Sequence, residues 1–318
     1  MKKFLEELEK ELTKNGIKKS EIEEILHDHE EMIKEAKKEG LSDEEIETKF
    51  GSPKHVADEL GSFSQNEDDV ESDIEGFGLF KSFSVQEDFN INIGLVDEDF
   101  ELSGEDSSEI KVYYKGKIDL NKYQITFEDN VFTLKEPKMG FSLFGIRRSA
   151  SATILIKIPY RMIPQCIISA VNADAIINKI KSGTFQIKST NGDMSLADIS
   201  SKLFKTDTVN GDMKIKRLKT EAIEFVTISG DVTLEHIDCE NNFAVNSVSG
   251  DMNINNMHCG ECSFHTVSGD IEGNNFYPTS ISVKSVSGDI DIRNEDMSHQ
   301  IEIKSKKSVS GSINIGKK

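Results

Sequence analysis

Seven times between Asn191 and Ser312 the chain sets a serine or asparagine before a glycine, and in six copies an aspartate follows. Ser229, Ser249, Ser268, Ser287 and Ser310 share their place with Asn191 and Asn210. A serine on a tight turn is a nucleophile only with a base in hydrogen-bond reach, and an enzyme needs one such site. A column of serines that exchanges freely with asparagine fits a repeated bend, and no catalytic residue is assigned to it.

The aspartates raise a second chemistry. Asp174, Asp193, Asp212, Asp231, Asp251, Asp270 and Asp289 keep one phase, the first of them in a worn copy where Ala173 replaces the glycine. Stacked at strand spacing, neighbours repel by roughly 1 kcal/mol in water. Side-chain bonds to turn amides, splay into solvent or weakly bound calcium would relieve this. The period does not match the nonapeptide of calcium-binding rolls. Asx-type bonding at the bends is therefore the expectation, weak cation binding the second reading, and no metal or cofactor is assigned.

The stretch "HCGEC" holds Cys259 and Cys262 between His258 and His265, the composition of a zinc or redox site. The repeat phase argues otherwise. Cys262 stands twelve residues after Gly250, where other copies carry Phe204, Ile223 or Ile281, and reads as a small core residue. Cys259 occupies the place of Cys239 one period earlier, so the two stack within disulfide range under oxidising conditions. His27 and His29, two apart on a helix, point about 200° from one another and do not share an ion.

One loop is greasy and basic in an acidic chain. "MGFSLFGIRRS" crowds Phe141, Leu143, Phe144 and Ile146 against Arg147 and Arg148. Two readings stand: a cap on the end of a β core, or a contact with a partner or a lipid interface.

The elements that carry these residues follow from spacing. With the glycines as origin the intervals are 19, 19, 20, 19, 19 and 23 residues, a fixed period over half the chain. Two and four residues after each glycine stand apolar pairs such as Met213 with Ile215; seven after come Ile199, Leu218, Ile237, Met257 and Phe276; twelve and fourteen after come pairs such as Ile223 with Phe225. Val209, Ile228, Val248, Val267, Val286 and Val309, two before a glycine, are read as inward too, and the glycine as the residue that permits the turn. One period is thus a strand, a corner, a second strand and a bend. So short a coil closes no core alone, so successive coils must stack. The expectation is a β-solenoid of about seven right-handed coils over residues 159–318, preceded by alternating strands over 77–158 that include a hairpin around "EDN" at 128–130.

Residues 1–61 are a different sequence. Phe4, Leu5, Leu8 and Leu12 recur at helical spacing; Ser20 with Glu23 and Ser42 with Glu45 are capping boxes; Gly51 stops a third short helix and Pro53 restarts a fourth. Residues 62–76 carry acids and no base, an extended self-repelling tether. The fold class is α+β multidomain: a small helical domain of four short helices, a linker, and a large all-β solenoid with coils of about 19 residues.

The head, through "FLEELEKEL", "EEILHDHEEMIKEAKKEGLSDEEI" and "FGSPKHVADEL", resembles the HAAS domain, a helical signalling module of bacteria whose genes sit beside PadR-type regulators. The resemblance implies a PadR-type regulator, or a second copy, as protein partner. Residues 77–318, with "ATILIKIPYRMIPQCIISAVNADAII" leading into the S-G-D repeats, resemble the bacterial putative-adhesin family, which implies a binding module and an association with envelope stress signalling.

A net charge of -19 makes nucleic acid a poor direct partner. No stretch has signal-peptide character or the roughly 20 apolar residues of a membrane helix, so the expected location is cytoplasmic or peripheral to the membrane. The leading functional reading is a non-enzymatic signalling or scaffold protein. The alternative is an adhesin-like or membrane-associated module docking through Phe141 to Arg148.

Overall fold

The computed structural model describes residues 2–15, 19–38, 41–43, 45–46, 51–54, 56–57, 74, 76–136, 152–296 and 298–316. The chain divides into two compact units, Met1–Glu71 with Lys117–Asp119, and Ser72–Gly116 with Leu120–Lys318.

In the first unit α1 (Lys2–Lys14) and α2 (Lys19–Lys38) bury one stripe each. Phe4, Leu8 and Leu12 of α1 meet Ile22 and Ile25 of α2 together with Val56 and Ala57, while Ile33 and Ala36 close on Ile46. The Ser42 box forms as its spacing requires. The Ser42 amide donates to Glu45 Oε2 at 2.9 Å and the Glu45 amide to Ser42 Oγ at 3.3 Å. Asp43, Glu45 and Ile46, and then Pro53, Lys54, Val56 and Ala57, are helical, with Gly51 at φ 77° between them. Helix α2 already runs from Lys19, so Ser20 lies inside its first turn.

The second unit is one continuous ladder of seventeen strands. Its leading part comprises β1 (Gly78–Ser84), β2 (Asn90–Leu95), β3 (Asp99–Glu105), β4 (Glu109–Lys115), β5 (Gln124–Glu128), β6 (Val131–Lys135), β7 (Thr153–Pro159) and β8 (Met162–Ala170). The repeats are β9 (Ala175–Ser189), β10 (Met194–Thr208), β11 (Met213–Thr227), β12 (Val232–Ser247), β13 (Met252–Thr266) and β14 (Ile271–Ser285), closed by β15 (Ile290–Arg293), β16 (Glu302–Ser308) and β17 (Ile313–Ile315). The expected hairpin joins β5 to β6, with Asp129 and Asn130 in the left-handed region that a two-residue turn needs.

Each repeat is a strand of about 15 residues in parallel register with the coil before and after it. The register runs unbroken except at two corners: β10 pairs β11 through 194–197, 199–201 and 203–208. One coil therefore has three short faces, where the spacing of apolar residues predicts two. The first corner is turned by a residue of positive φ, in successive coils Lys179, Asp198, Arg217, His236, Asn256 and Asn275. Two of these residues, Arg217 and Asp198, face one another across coils, Nε to Oδ1 at 2.6 Å and Nη2 to Oδ2 at 2.8 Å. The Arg217 guanidinium holds the Asp198 carboxyl below its ordinary range.

The solenoid has about eight turns, one more than the glycines count. The extra turn is built by β2 and β3. Ile91 pairs with Cys166 in the column of Phe185 and Phe204, and Phe100 pairs with Ala175 in the column of Met194. Inside runs a column of aromatic rings, beginning with Phe185 and Phe204 stacked at 5.4 Å and continuing through Phe225, Phe243, Phe264 and Phe276. All six rings are buried, each worth roughly 1.5–3 kcal/mol of transfer free energy.

One inward assignment is overturned. Ile228, Val248, Val267 and Val286 are about half exposed and Val309 is 82% exposed. The strand period explains it: inward places twelve and fourteen residues after one glycine continue at sixteen, three before the next. Ser189, Thr208, Thr227, Ser247, Thr266 and Ser285 are the buried residues there, and the valine that follows must face water.

Candidate functional site: the bend ladder

The bends place every serine, glycine and aspartate of the motif in its own column. The glycines are held by lack of space. A Cβ on Gly192 would lie 1.9 Å from the carbonyl oxygen of Ala173, and on Gly211, Gly230, Gly250, Gly269, Gly288 or Gly311 between 2.0 and 2.2 Å from that of the glycine one coil earlier. None of these seven has positive φ. The glycine is thus required for close stacking of backbones, and the expectation that it permits the turn is corrected.

Around that stack polar side chains bind both within a bend and from coil to coil. Within their own bends Thr227 and Ser247 donate to the carbonyls of Gly230 and Gly250, each at 3.0 Å. Ser229 Oγ donates to the carbonyl of Val209 and Ser249 Oγ to that of Ile228, both at 3.0 Å, with Ser268, Ser287 and Ser310 repeating the contact. Where asparagine takes the place, its amide does the same work sideways: Asn191 Nδ2 reaches Asn172 Oδ1 at 2.8 Å and Asn210 Nδ2 reaches Asn191 Oδ1 at 2.9 Å. Serine and asparagine are interchangeable because either supplies one donor toward the preceding coil.

The aspartates form a second rail. The amide of Asp193 donates to Asp174 Oδ1 at 2.8 Å, Asp212 to Asp193, Asp231 to Asp212, Asp251 to Asp231, Asp270 to Asp251, and Asp289 to Asp270 at 2.7 Å. These bonds run between coils rather than within one Asx turn. In the last coil Ser312 replaces aspartate and donates its amide and hydroxyl to Asp289, which holds that carboxyl below its ordinary range. Each carboxylate keeps one oxygen for water while the other anchors its neighbour's backbone.

The rail extends one step beyond any glycine. Asp174 donates its amide to Asp99 Oδ1 at 2.9 Å, and Asn172 Nδ2 donates to Asp97 Oδ1 at 2.7 Å. Val96-Asp97-Glu98-Asp99 is therefore the first bend, with Glu98 in the glycine place. Sequence reasoning missed it because 75 residues separate Asp99 from Asp174 and no glycine marks it; the signal was "VDED" beside "VNAD". Strand β6 lies in parallel register on β2, and Glu136 at its end supplies the acceptor here: its Oε2 accepts the amides of Val96 at 2.6 Å and Asp97 at 3.3 Å. Burial and the adjacent Glu98 carboxylate push Glu136 up to about 7. Burial, with Glu98 beside it, also keeps the Tyr123 phenol protonated.

The cysteines lie elsewhere. Cys239 and Cys259 pair in register and, with Cys166 and Cys262, are buried free thiols. Burial pushes Cys239 up to about 12 and raises Cys166 and Cys262 as well. His258 faces solvent from the opposite side of its strand and stacks on Tyr277 at 5.2 Å. Among the described residues no group of three or more His, Cys, Asp or Glu side chains is placed to hold a metal ion. Phe141, Leu143, Phe144, Ile146, Arg147 and Arg148 lie outside the described residues.

The glycine-clearance column and its flanking rails run through residues 89–318, and the profile of the toastrack DUF4097 family matches 89–216 and 202–318. The chain belongs to that family. Ahead of the toastrack domain, the HAAS profile matches residues 3–59. No curated protein matches the chain. Among solved structures, the toastrack fold is shared with the "Putative lipid binding protein" of Parabacteroides distasonis, 14% identical, TM-score 0.53, covering 76% of this chain and 98% of that one. A "putative adhesin" of the same species (13% identical, TM-score 0.49) and one of Parabacteroides merdae (15% identical, TM-score 0.46) cover 75% and 76% of this chain and 97% of theirs. No helix among the described residues is long and apolar enough to cross a membrane.

Proposed function

We propose that the protein is a non-enzymatic scaffold in which the HAAS domain engages a PadR-type regulator or a second copy, and the toastrack solenoid presents a repetitive β surface to a partner in envelope stress signalling. One observation carries the non-enzymatic reading: every serine hydroxyl of the repeated motif donates to a backbone carbonyl or a neighbouring side chain of the preceding coil, which leaves a scaffold where a nucleophile was conceivable. The family of the helical head supports the regulator. Size-exclusion chromatography of the intact chain with a purified PadR-type regulator tests it: a co-eluting complex, lost when Leu8→Asp collapses the α1 stripe, is expected, and separate elution of the two intact proteins overturns the regulator.

The second reading is a membrane-associated module docking through Phe141, Leu143, Phe144, Ile146, Arg147 and Arg148. It is favoured by the lipid-binding description of the Parabacteroides distasonis structure. Phe144→Asp abolishes vesicle binding if this loop carries it.

A further inference from the structure

One row of the solenoid changes along its length from paired opposite charges to stacked lysines. In register across successive coils stand Lys188, Asp207, Val226, Asn246, His265, Lys284 and Lys307. At its start opposite charges meet, Lys188 Nζ to Asp207 Oδ2 at 3.6 Å. The neighbouring rows do likewise, as in Lys205 with Glu224 at 2.6 Å and Lys219 with Asp238 at 3.7 Å. At its end His265, Lys284 and Lys307 are stacked directly on one another, all exposed, and among the described residues no carboxylate pairs with either lysine. Like charges directly opposite in a ladder are destabilising, so this end carries an uncompensated local cost in a chain of net charge -19.

Two residues on from each of His265, Lys284 and Lys307 is an exposed valine. Val267 and Val286 are 45% and 46% exposed and Val309 is 82% exposed. The intervening Thr266 and Ser285 are buried, so His265 with Val267 and Lys284 with Val286 share the outer side of the sheet, and in the last coil Lys307 and Val309 are both exposed. Three coils thus present two parallel rows about 4.8 Å apart from coil to coil, one basic and one apolar.

We propose that this strip, His265, Lys284 and Lys307 beside Val267, Val286 and Val309, is a docking surface for an anionic lipid bilayer. The pairing of basic and apolar rows selects the occupant: lysines gain at the headgroup potential while β-branched side chains enter the interface. A second copy of the strip is refused, because lysine would meet lysine. The remote acids do not veto the contact, since charges beyond about 8 Å are screened at physiological salt. The ladder carboxylates of Asp251, Asp270 and Asp289 keep their charge, and they follow the valines along each coil, so the valine row stands between them and the basic row. This surface does not depend on the regulator reading and is separate from Phe141 to Arg148.

Flotation of the intact chain with vesicles tests it, using equal parts phosphatidylglycerol and phosphatidylcholine against phosphatidylcholine alone in 0.1 M salt. The partition coefficient is expected to be well over tenfold higher on the anionic vesicles and to collapse in 0.5 M salt. Lys284→Gln with Lys307→Gln lowers it about 25-fold, about fivefold per lysine. Val286→Asp with Val309→Asp removes binding and Lys284→Arg with Lys307→Arg retains it; all variants stay folded because the positions are exposed, the glutamine pair melting at or slightly above the wild type because it relieves the stacked lysines. Failure of the intact chain to float with anionic vesicles overturns the proposal. So does undiminished flotation of the double glutamine variant, which would move the contact to Phe141 to Arg148. Regulator binding, measured on the same variants, is expected to be unchanged and so fails or stands by itself.

Discussion

Glu136 Oε2 accepts the backbone amide of Val96 at 2.6 Å, so a side chain at the end of β6 does here what a backbone carbonyl does elsewhere in the array. Elsewhere in the array the amide of that place bonds the coil before, as Thr190 does to the carbonyl of Ala170. The Glu136 side chain is a carboxylate set beside a second carboxylate, Glu98.

That arrangement gives a pH signature. The ordinary glutamate value is 4.5 and Glu136 stands at about 7, so the folded chain retains a proton that the unfolded chain has released between those limits. Its contribution is present in full below about 4.5 and is lost as pH rises through about 7. Urea titrations at pH 5 and pH 8 should show the wild type losing about 1 kcal/mol more than Glu136→Gln, a figure discounted for the partial exposure of the group. Parallel pH profiles of the two proteins would show that Glu136 does not titrate in this window.

The glycine column predicts a sharp contrast between adjacent residues. Gly250→Ala puts a methyl 2.1 Å from the Gly230 carbonyl oxygen and should cost about 2 kcal/mol or more, by forcing two coils apart. Ser249→Ala loses one exposed hydrogen bond and should cost about 0.5–1 kcal/mol. Both are read as a fall in the urea midpoint at unchanged slope.

The aspartate rail predicts indifference to calcium. With one oxygen of each carboxylate committed to an amide, a melting temperature equal in millimolar calcium and in chelator is expected. Asp231→Ala, by contrast, strands the Asp251 amide and should cost about 1 kcal/mol in either buffer.

The cysteines should be silent. Thiolates are the reactive form, and Cys166, Cys239 and Cys262 are buried with raised values, so a thiol reagent at pH 8 should label none of these three in the folded chain and all of them in urea. Rapid labelling under native conditions would place them at the surface instead.

Much of the fold was legible because a solenoid writes its period into its sequence. The columns two, four, seven, twelve and fourteen residues after the glycines from Gly192 to Gly269 are buried as spacing predicts, the last pair shifted by one residue after Gly230, and Cys262 packs in the place of Phe243. The helical head was equally readable at Ser42 and Glu45, where a capping box needs only local geometry.

What spacing could not decide was the direction in which a residue near a bend faces. Val267 looked inward because valine favours strands on either side; the chain parity set at Ile254 and Phe264 puts Thr266 inside and Val267 out. Nor could it find the first bend, since Glu98 stands in the glycine place and 75 residues separate Asp99 from Asp174. The sequence by itself determined the repeat, the core columns and the head. Only the stacked structure decided that the glycines serve clearance between coils, that serine and aspartate are consumed by the neighbouring coil, and that Lys284 meets Lys307. Each is a relation between residues about one period apart, and such a relation exists only once the coils lie on one another.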